Sequence, residues 1–300
     1  MRLASACTLT LLLAAAVPAA AQQDFSKVEI KTTKLAEHVY MLMGAGGNLG
    51  LSVGEDATFL VDDQFAPLTD RINEAIGKVA RQPVKFIVNT HWHFDHTGGN
   101  ENFGKAGTLI FAHENVRKRM STEQFIAFLN SKQAPSPKPA LPVVTFTNSV
   151  SFHLNGEEIR VTHVPRAHTD GDAIVHFTAS DVLHMGDVFF NGMYPFIDAS
   201  SGGSIDGMVA ACDQGLAIAN DNTRIIPGHG PLGNRRELQA YRDMLADVAA
   251  RFKKLVAEGR TIDQIVAAKA TAPYDEKFGK GFVNADKFSE MIAGSLGARK

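Results

Sequence analysis

Asn89-Thr90-His91-Trp92-His93-Phe94-Asp95-His96-Thr97-Gly98-Gly99-Asn100 is the stretch on which the reading of this chain turns. It follows directly on Val84-Lys85-Phe86-Ile87-Val88, a β-branched and aromatic run that predicts a buried strand. The polar cluster therefore belongs to the loop leaving a strand end, where the sheet fixes the loop's base while its side chains stay free to converge. Its imidazoles and carboxylate are nitrogen and oxygen ligands of the kind zinc and similar ions take. One tetrahedral ion cannot easily use all of these groups from so short a loop, whereas two neighbouring ions can. The competing reading is a histidine-rich surface loop with no metal, and the later segments weigh against it.

Those segments repeat the arrangement. His168 lies in Val164-Pro165-Arg166-Ala167-His168-Thr169-Asp170-Gly171-Asp172, a loop at a strand end that Pro165 and Gly171 hold tight. The strand Asp181 to Met185 ends in Gly186-Asp187, and Thr223 to Ile226 runs into Pro227-Gly228-His229-Gly230. His163 falls within an alternating strand and reads as an ordinary strand residue.

Around these loops the chain alternates strands with helices, which indicates α/β architecture. Val28 to Lys31, His38 to Met43, Ala57 to Val61, Thr108 to Phe111, Val150 to Leu154 and Glu158 to Val164 read as strands. Asn155-Gly156 marks a hairpin, and Gly44 to Asn48 is a flexible turn, either a plain hairpin loop or a flap. Leu68, Ile72, Ile76 and Val79 place a helix over Ala66 to Ala80. Leu238, Tyr241, Leu245, Val248, Phe252 and Leu255 give one long amphipathic helix from Arg235 to Glu258, stopped by Gly259. Thr261-Ile262-Asp263-Gln264 is a capping box opening another. Met120 to Pro142 breaks the rhythm as a surface insertion, with Glu123 to Leu129 expected to be helical and a Pro-rich extended end. Residues beyond Thr271 carry no legible pattern.

HWHFDH, His168 in AHTDGD, Asp187 in HMGD and His229 in PGHG resemble, in order and spacing, the metallo-β-lactamase-fold hydrolase superfamily. The resemblance spans essentially the whole chain after its leader. It implies a four-layer αββα sandwich, with His91, His93 and His168 on one ion, Asp95, His96 and His229 on the other, and Asp187 bridging both. It also implies a zinc enzyme with two ions per chain, iron or manganese being alternative metals. The chemistry of the residues agrees with it. Three neutral imidazoles leave an open position on a tetrahedral ion. Two dications about 3.5–4 Å apart would lower the pKa of a shared water to about 7, so that a bridging hydroxide can attack a carbonyl or phosphoryl centre. Asp95 is then placed to pass a proton.

Arg2, the short apolar core Leu9 to Val17 and Ala19-Ala20-Ala21 read as a signal peptide over residues 1–21, cleaved before Gln22. That core is far too short for a permanent span, so no stable membrane anchor is expected, and the metallo-hydrolase domain covers 22–300 in the periplasm or outside the cell. Cleavage would leave Cys212 as the sole cysteine and exclude an internal disulfide. A net charge of -2 gives no basic face, so the expected partner is a small-molecule substrate and nucleic acid is excluded.

The substrate is read more coarsely, as a carbonyl ester, thioester, lactone or lactam. A true zinc β-lactamase is one alternative. Most such enzymes, however, carry cysteine or serine where this chain has Asp187, and a lysine or serine shortly after it, where Val188-Phe189-Phe190-Asn191 stands here. Arg166, Arg235 or Arg236 are the candidates to replace that cation. An iron-dependent oxidoreductase of the persulfide dioxygenase type is the alternative from another class. Val188 to Ser204 reads as an apolar wall or as core, with Asn191 and Tyr194 as candidate donors to a developing oxyanion.

Overall fold

The computed structural model describes residues 24–299, so the expected signal peptide lies outside the described residues. Two sheets form its centre. The first has seven strands in the order β1 (Lys31–Lys34), β2 (Val39–Met43), β3 (Leu49–Val53), β4 (Thr58–Val61), β5 (Val84–Val88), β6 (Leu109–His113) and β9 (Val144–Phe146). It is antiparallel from β1 to β4 and parallel from β4 to β9. The second runs β10 (Ser149–Leu154), β11 (Glu157–His163), β12 (Ala173–Phe177), β13 (Val182–His184) and β14 (Arg224–Ile226), with only the last pair parallel.

The period-2 alternation of strand side chains builds the layers. In β4, Phe59 and Val61 share a core with Ile159, Val161, Val175 and Phe177 of the second sheet. Leu60, between them, packs outward with Ile72 and Ile76 of the helix Thr69–Gly77. In the second sheet Val182 and Ile226 join the inter-sheet core. Leu183 and Ile225 turn to the other face, against Met208 and Cys212 of the helix Ile205–Ile218 and Leu245 and Phe252 of the helix Arg235–Ala257. Helix, sheet, sheet and helix are the four layers of the expected αββα sandwich.

Several sequence expectations hold closely. Asn155 (φ 54°) and Gly156 (φ 81°) join β10 to β11 in the turn conformation that two left-handed residues give. Asn234 and Glu237 cap the long helix reciprocally, and Gly259 (φ 76°) follows its end. Thr261 and Gln264 form the capping box.

Others are corrected. The first strand begins at Lys31, because the carbonyls of Phe25, Ser26 and Val28 accept from the Arg71 guanidinium and not from a ladder. The first helix is tighter than its pattern, with a 3₁₀ turn at Ala66–Leu68 and α-helix only from Thr69 to Gly77. Glu123 to Leu129 is not helical. Gln124–Ile126 (β7) pairs antiparallel with Ser131–Gln133 (β8) as a separate hairpin. Its apolar residues follow strand alternation, Ile126 buried and Phe125 exposed, and a seven-residue helix would gain too little to nucleate alone. Past Thr271, Ala272–Phe278 and Ala285–Ser295 are helices that bury Phe278, Phe288 and Ile292 beside the long helix.

Candidate metal centre

Strand ends deliver every expected ligand to one rim. The loop after β5 carries His91, His93, Asp95 and His96, and Thr90 in it accepts the Ala173 N–H of β12, drawing the two sheets together there (2.8 Å). The loop before β12 supplies His168. Parallel pairing of β13 with β14 sets Gly186-Asp187 beside Gly228-His229, with Gly228 N–H donating to Gly186 O (2.7 Å). This approach needs glycine, since a Cβ on Gly228 would lie 2.0 Å from Asp187 Oδ1. A Cβ on Gly47, in the β2–β3 turn, would likewise strike the His96 ring at 2.1 Å, so that turn is both a hairpin loop and part of the site's packing.

The ligand atoms converge in three overlapping groups: His91, His93 and His168; His91, His96 and Asp187; Asp95, His96 and His229. His168 Nε2 is 2.8 Å from His93 Nδ1 and 3.4 Å from Asp187 Oδ2. His96 Nε2 lies 3.0 Å from Asp187 Oδ1, and His229 Nε2 lies 3.4 Å from that oxygen and 3.3 Å from Asp95 Oδ2. Asp187 thus stands between the two outer groups.

The outward nitrogens are fixed by hydrogen bonds. His93 Nε2–H donates to Asp198 (3.1 Å), His168 Nδ1–H to the Phe196 carbonyl (2.7 Å) and His96 Nδ1–H to Asp62 (2.8 Å). His91 Nδ1–H donates to Thr90 Oγ1 (3.1 Å), whose hydroxyl donates to Asp62 (2.7 Å). Each ring then turns its other nitrogen inward, where a metal would take it as a lone pair in place of any proton it carries. His91 Nε2 is buried without any hydrogen bond, the kind of orphaned atom that a cation would satisfy.

Charge separates the groups. Burial, aided by the neighbouring His96, pushes His91 well below its ordinary pKa, and burial brings His168 down to about 4. For His96 burial acts the same way but is outweighed by Asp187, Asp95 and Asp62, so its pKa is raised well above the ordinary value. Burial is outweighed at His229 too, where Asp187 and Asp95 raise it to about 9. Asp95, despite burial, is drawn down to about 2 by His96 and His229, and Asp187 is also held low by His96 and His229. Neutral nitrogens on one side and carboxylates on the other suit a divalent metal.

Residues 46–245 match the family described as the metallo-beta-lactamase superfamily. The chain belongs to that superfamily. It is 25% identical over 205 residues to the acyl-coenzyme A thioesterase MBLAC2 of Homo sapiens, covering 64% of this chain and 72% of that protein. It is 24% identical over 243 residues to the 2,4-dinitroanisole O-demethylase subunit alpha of Nocardioides sp. (strain JS1661), covering 79% and 70%. Among solved structures, a metallo-beta-lactamase from Pontibacter korlensis superposes with a TM-score of 0.59 at 20% identity, covering 73% of this chain and all of that one. The sec-alkylsulfatase Pisa1 from Pseudomonas sp. gives 0.65 at 16% identity, over 88% of this chain and 50% of that one. These likenesses carry the fold.

Within this superfamily member a cavity of about 330 Å³ opens over the ligand cluster, with His93, Asp95, Asp187 and His229 in its lining. Both readings of the segment after Asp187 apply: Phe190, Tyr194 and Phe196, joined by Met193, form one wall, while Phe189 packs into the core against Tyr241. Neither proposed oxyanion donor aims at the cluster. Tyr194 Oη–H donates to Asp275 (2.8 Å), with the Thr271 carbonyl at 3.2 Å, and Asn191 Nδ2–H donates to the Pro231 carbonyl (3.0 Å). Arg166, Arg235 and Arg236 do not line the cavity, and Arg235 donates to the Ala219 carbonyl.

Sequence reasoning missed Asp62 and Asp198, the carboxylates that orient His96 and His93. Asp62 had a signal, since it follows β4 as Asp187 follows β13. Asp198 had none, because nothing local ties it to a histidine 105 positions away.

Proposed function

We propose that this chain is a dinuclear zinc hydrolase cleaving a carbonyl ester, thioester, lactone or lactam. The observation that carries this reading is the three overlapping ligand groups with Asp187 between the outer two, a donor set that supports two neighbouring cations. Zinc bound there would lower the pKa of its water to about 7 and so supply hydroxide at neutral pH. The chain's own residues do the rest. His91, His93, His168, His96 and His229 present inward nitrogens, Asp187 offsets the charge between the ions, and Asp95, its carboxylate open to the cavity, carries a proton to the leaving group. A relative named as an acyl-coenzyme A thioesterase supports acyl transfer to water.

A β-lactam is a poorer fit. Its carboxylate needs a cation, and among the described residues neither lysine nor arginine lines the cavity. The leader supports export, and N-terminal sequencing of the purified protein should begin at Gln22.

Metal content and turnover test the proposal together. Protein saturated with zinc should hold about two ions, and His229→Ala should lose mainly one. It should turn over esters or thioesters, with β-lactam kcat/KM well below about 10⁶ M⁻¹s⁻¹. One ion or none overturns the dinuclear reading, and bound iron with oxygen uptake would transfer the chain to the dioxygenase class.

A further inference from the structure

The cavity is polar at one end only. Its remaining walls come from parts of the chain far apart in sequence: Phe65 after β4, Phe94 within the histidine loop, Ile126 and Leu129 of the β7–β8 hairpin, and Phe282 and Val283 between the last two helices. Phe94 and Phe282 are 41% and 67% exposed, so large apolar rings stand at its mouth uncovered. The hairpin wall is held in place. Arg119 reaches both Asp170 (2.7 Å to each oxygen) and Gln124 (3.0 Å), Ala127 N–H donates to Ser200 Oγ (3.3 Å), and the Phe128 ring sits 5.2 Å from Phe196. Tyr194 presents its ring, its hydroxyl being committed to Asp275.

We infer that this cavity is an acyl slot whose occupant is an uncharged, linear acyl group of medium length, its carbonyl at the ligand cluster and its chain running between the hairpin and Phe282. The inference rests on the hydrolase reading and names its substrate class. Three features select that occupant. Among the described residues the only charged side chains in the lining are at the base, so an anionic or cationic tail would be desolvated without a partner. A cavity of about 330 Å³ has room for several methylenes beyond the carbonyl, so a chain of medium length fits it better than a two-carbon or a very long one. The exposed rings at the mouth lose water only when a chain long enough to reach them is bound.

Two series test it with zinc-loaded protein: acyl thioesters of N-acetylcysteamine from acetyl to hexadecanoyl, and binding of acetamide against octanamide by calorimetry, which needs no turnover. Each buried methylene should raise kcat/KM by up to about fourfold, giving an octanoyl thioester at least ~100-fold over acetyl and a fall beyond dodecanoyl. Octanamide should bind with a negative heat-capacity change and acetamide should give no measurable heat. Leu129→Trp, which fills the slot from the hairpin, should move the optimum to shorter chains and weaken octanamide at least tenfold. A flat chain-length profile, or octanamide binding no better than acetamide, overturns the slot. Octanamide binding lost in Leu129→Trp but no turnover of any thioester, ester, lactone or lactam leaves the slot supported and overturns the hydrolase reading instead.

Discussion

Asp62 accepts Thr90 N–H at one oxygen (2.7 Å) and both Thr90 Oγ1–H and His96 Nδ1–H at the other. Through Thr90 it also steadies His91, so one carboxylate sets the tautomer of a ring in each outer ligand group. Asp62→Asn keeps the shape but offers one acceptor oxygen, and its amide N–H₂ facing His96 would reverse that tautomer. Metal affinity should fall about 10–100-fold, the usual effect of losing such an orienting group. A chelator-competition titration checks this, and unchanged affinity would remove Asp62 from the site. Asp187→Asn should act differently, through charge, since only anionic ligands offset two adjacent dications. It should drop one ion at saturating zinc while His168 and His93 keep the other. Asp172 gives a pH test at a carboxyl that is not itself one of the proposed ligands, although His93 and Asp187 both act on it. Burial raises its carboxyl to about 7, although Thr169 N–H and Oγ–H both donate to it. A carboxyl with a folded pKa above its unfolded value near 3.9 binds its proton more tightly when folded. Its contribution to stability therefore declines as pH rises from about 4 to about 7. Asp172→Asn mimics the protonated form, so denaturant melts should show the variant gaining on wild type across that window, by on the order of 1–4 kcal/mol. A constant difference would count against a raised pKa.

At the scale of elements, the Asn155-Gly156 turn does more than reverse the chain. Asn155 Nδ2–H₂ donates to Ser52 Oγ (3.0 Å) and the Ala57 carbonyl (3.0 Å), and Asp56 accepts the Asn155 N–H (2.7 Å), so the turn of the second sheet is fastened to the first. Asn155→Ala would lose the two buried side-chain bonds, keeping the backbone N–H to Asp56, and would place a Cβ residue at φ 54° without them. We expect a loss of about 2–4 kcal/mol. Asn155→Gly, which relieves only the backbone, should recover part of it in denaturant melts, and a glycine variant as stable as wild type would show that the side-chain bonds are idle. The dipeptide was legible in the sequence because a tight hairpin needs two left-handed residues, a local demand. The ligand loops were legible for a related reason: histidine and aspartate at strand ends carry their chemistry in their own spacing. The β7–β8 hairpin was not. Gln124-Phe125-Ile126 takes its conformation from burying Ile126 against the core, from Ser200 and from an Arg119 that Asp170 holds in place, and these partners lie outside any local sequence window. The start of β1 was misplaced likewise, by a side chain of a later helix, Arg71. The Asp198–His93 bond and the C-terminal helices depend on distant partners in the same way.

For the whole molecule, the cluster joins two sheets that meet chiefly through apolar packing, with the Thr90–Ala173 bond and the Asn155 turn as polar ties. His91, His93, Asp95 and His96 leave the first sheet, while His168, Asp187 and His229 belong to the second. Cations held there would bridge the layers at one end of the sandwich. The three apolar cores between and outside the sheets contain none of these ligands, so the fold should survive stripping with its secondary structure intact. What should change is the melting temperature. A ligand present at a thousandfold its dissociation constant adds about 4 kcal/mol to a native state that alone binds it. For a chain of this size each kcal/mol moves Tm by about 2–4 °C, so stripped protein should melt about 8–16 °C lower. Scanning calorimetry of zinc-loaded and chelator-stripped protein, with circular dichroism of both at 25 °C, is the check. Equal melting temperatures would mean that the cluster holds no ion tightly enough to link the sheets. Loss of secondary structure on stripping would mean instead that the apolar cores cannot hold the layers together without metal.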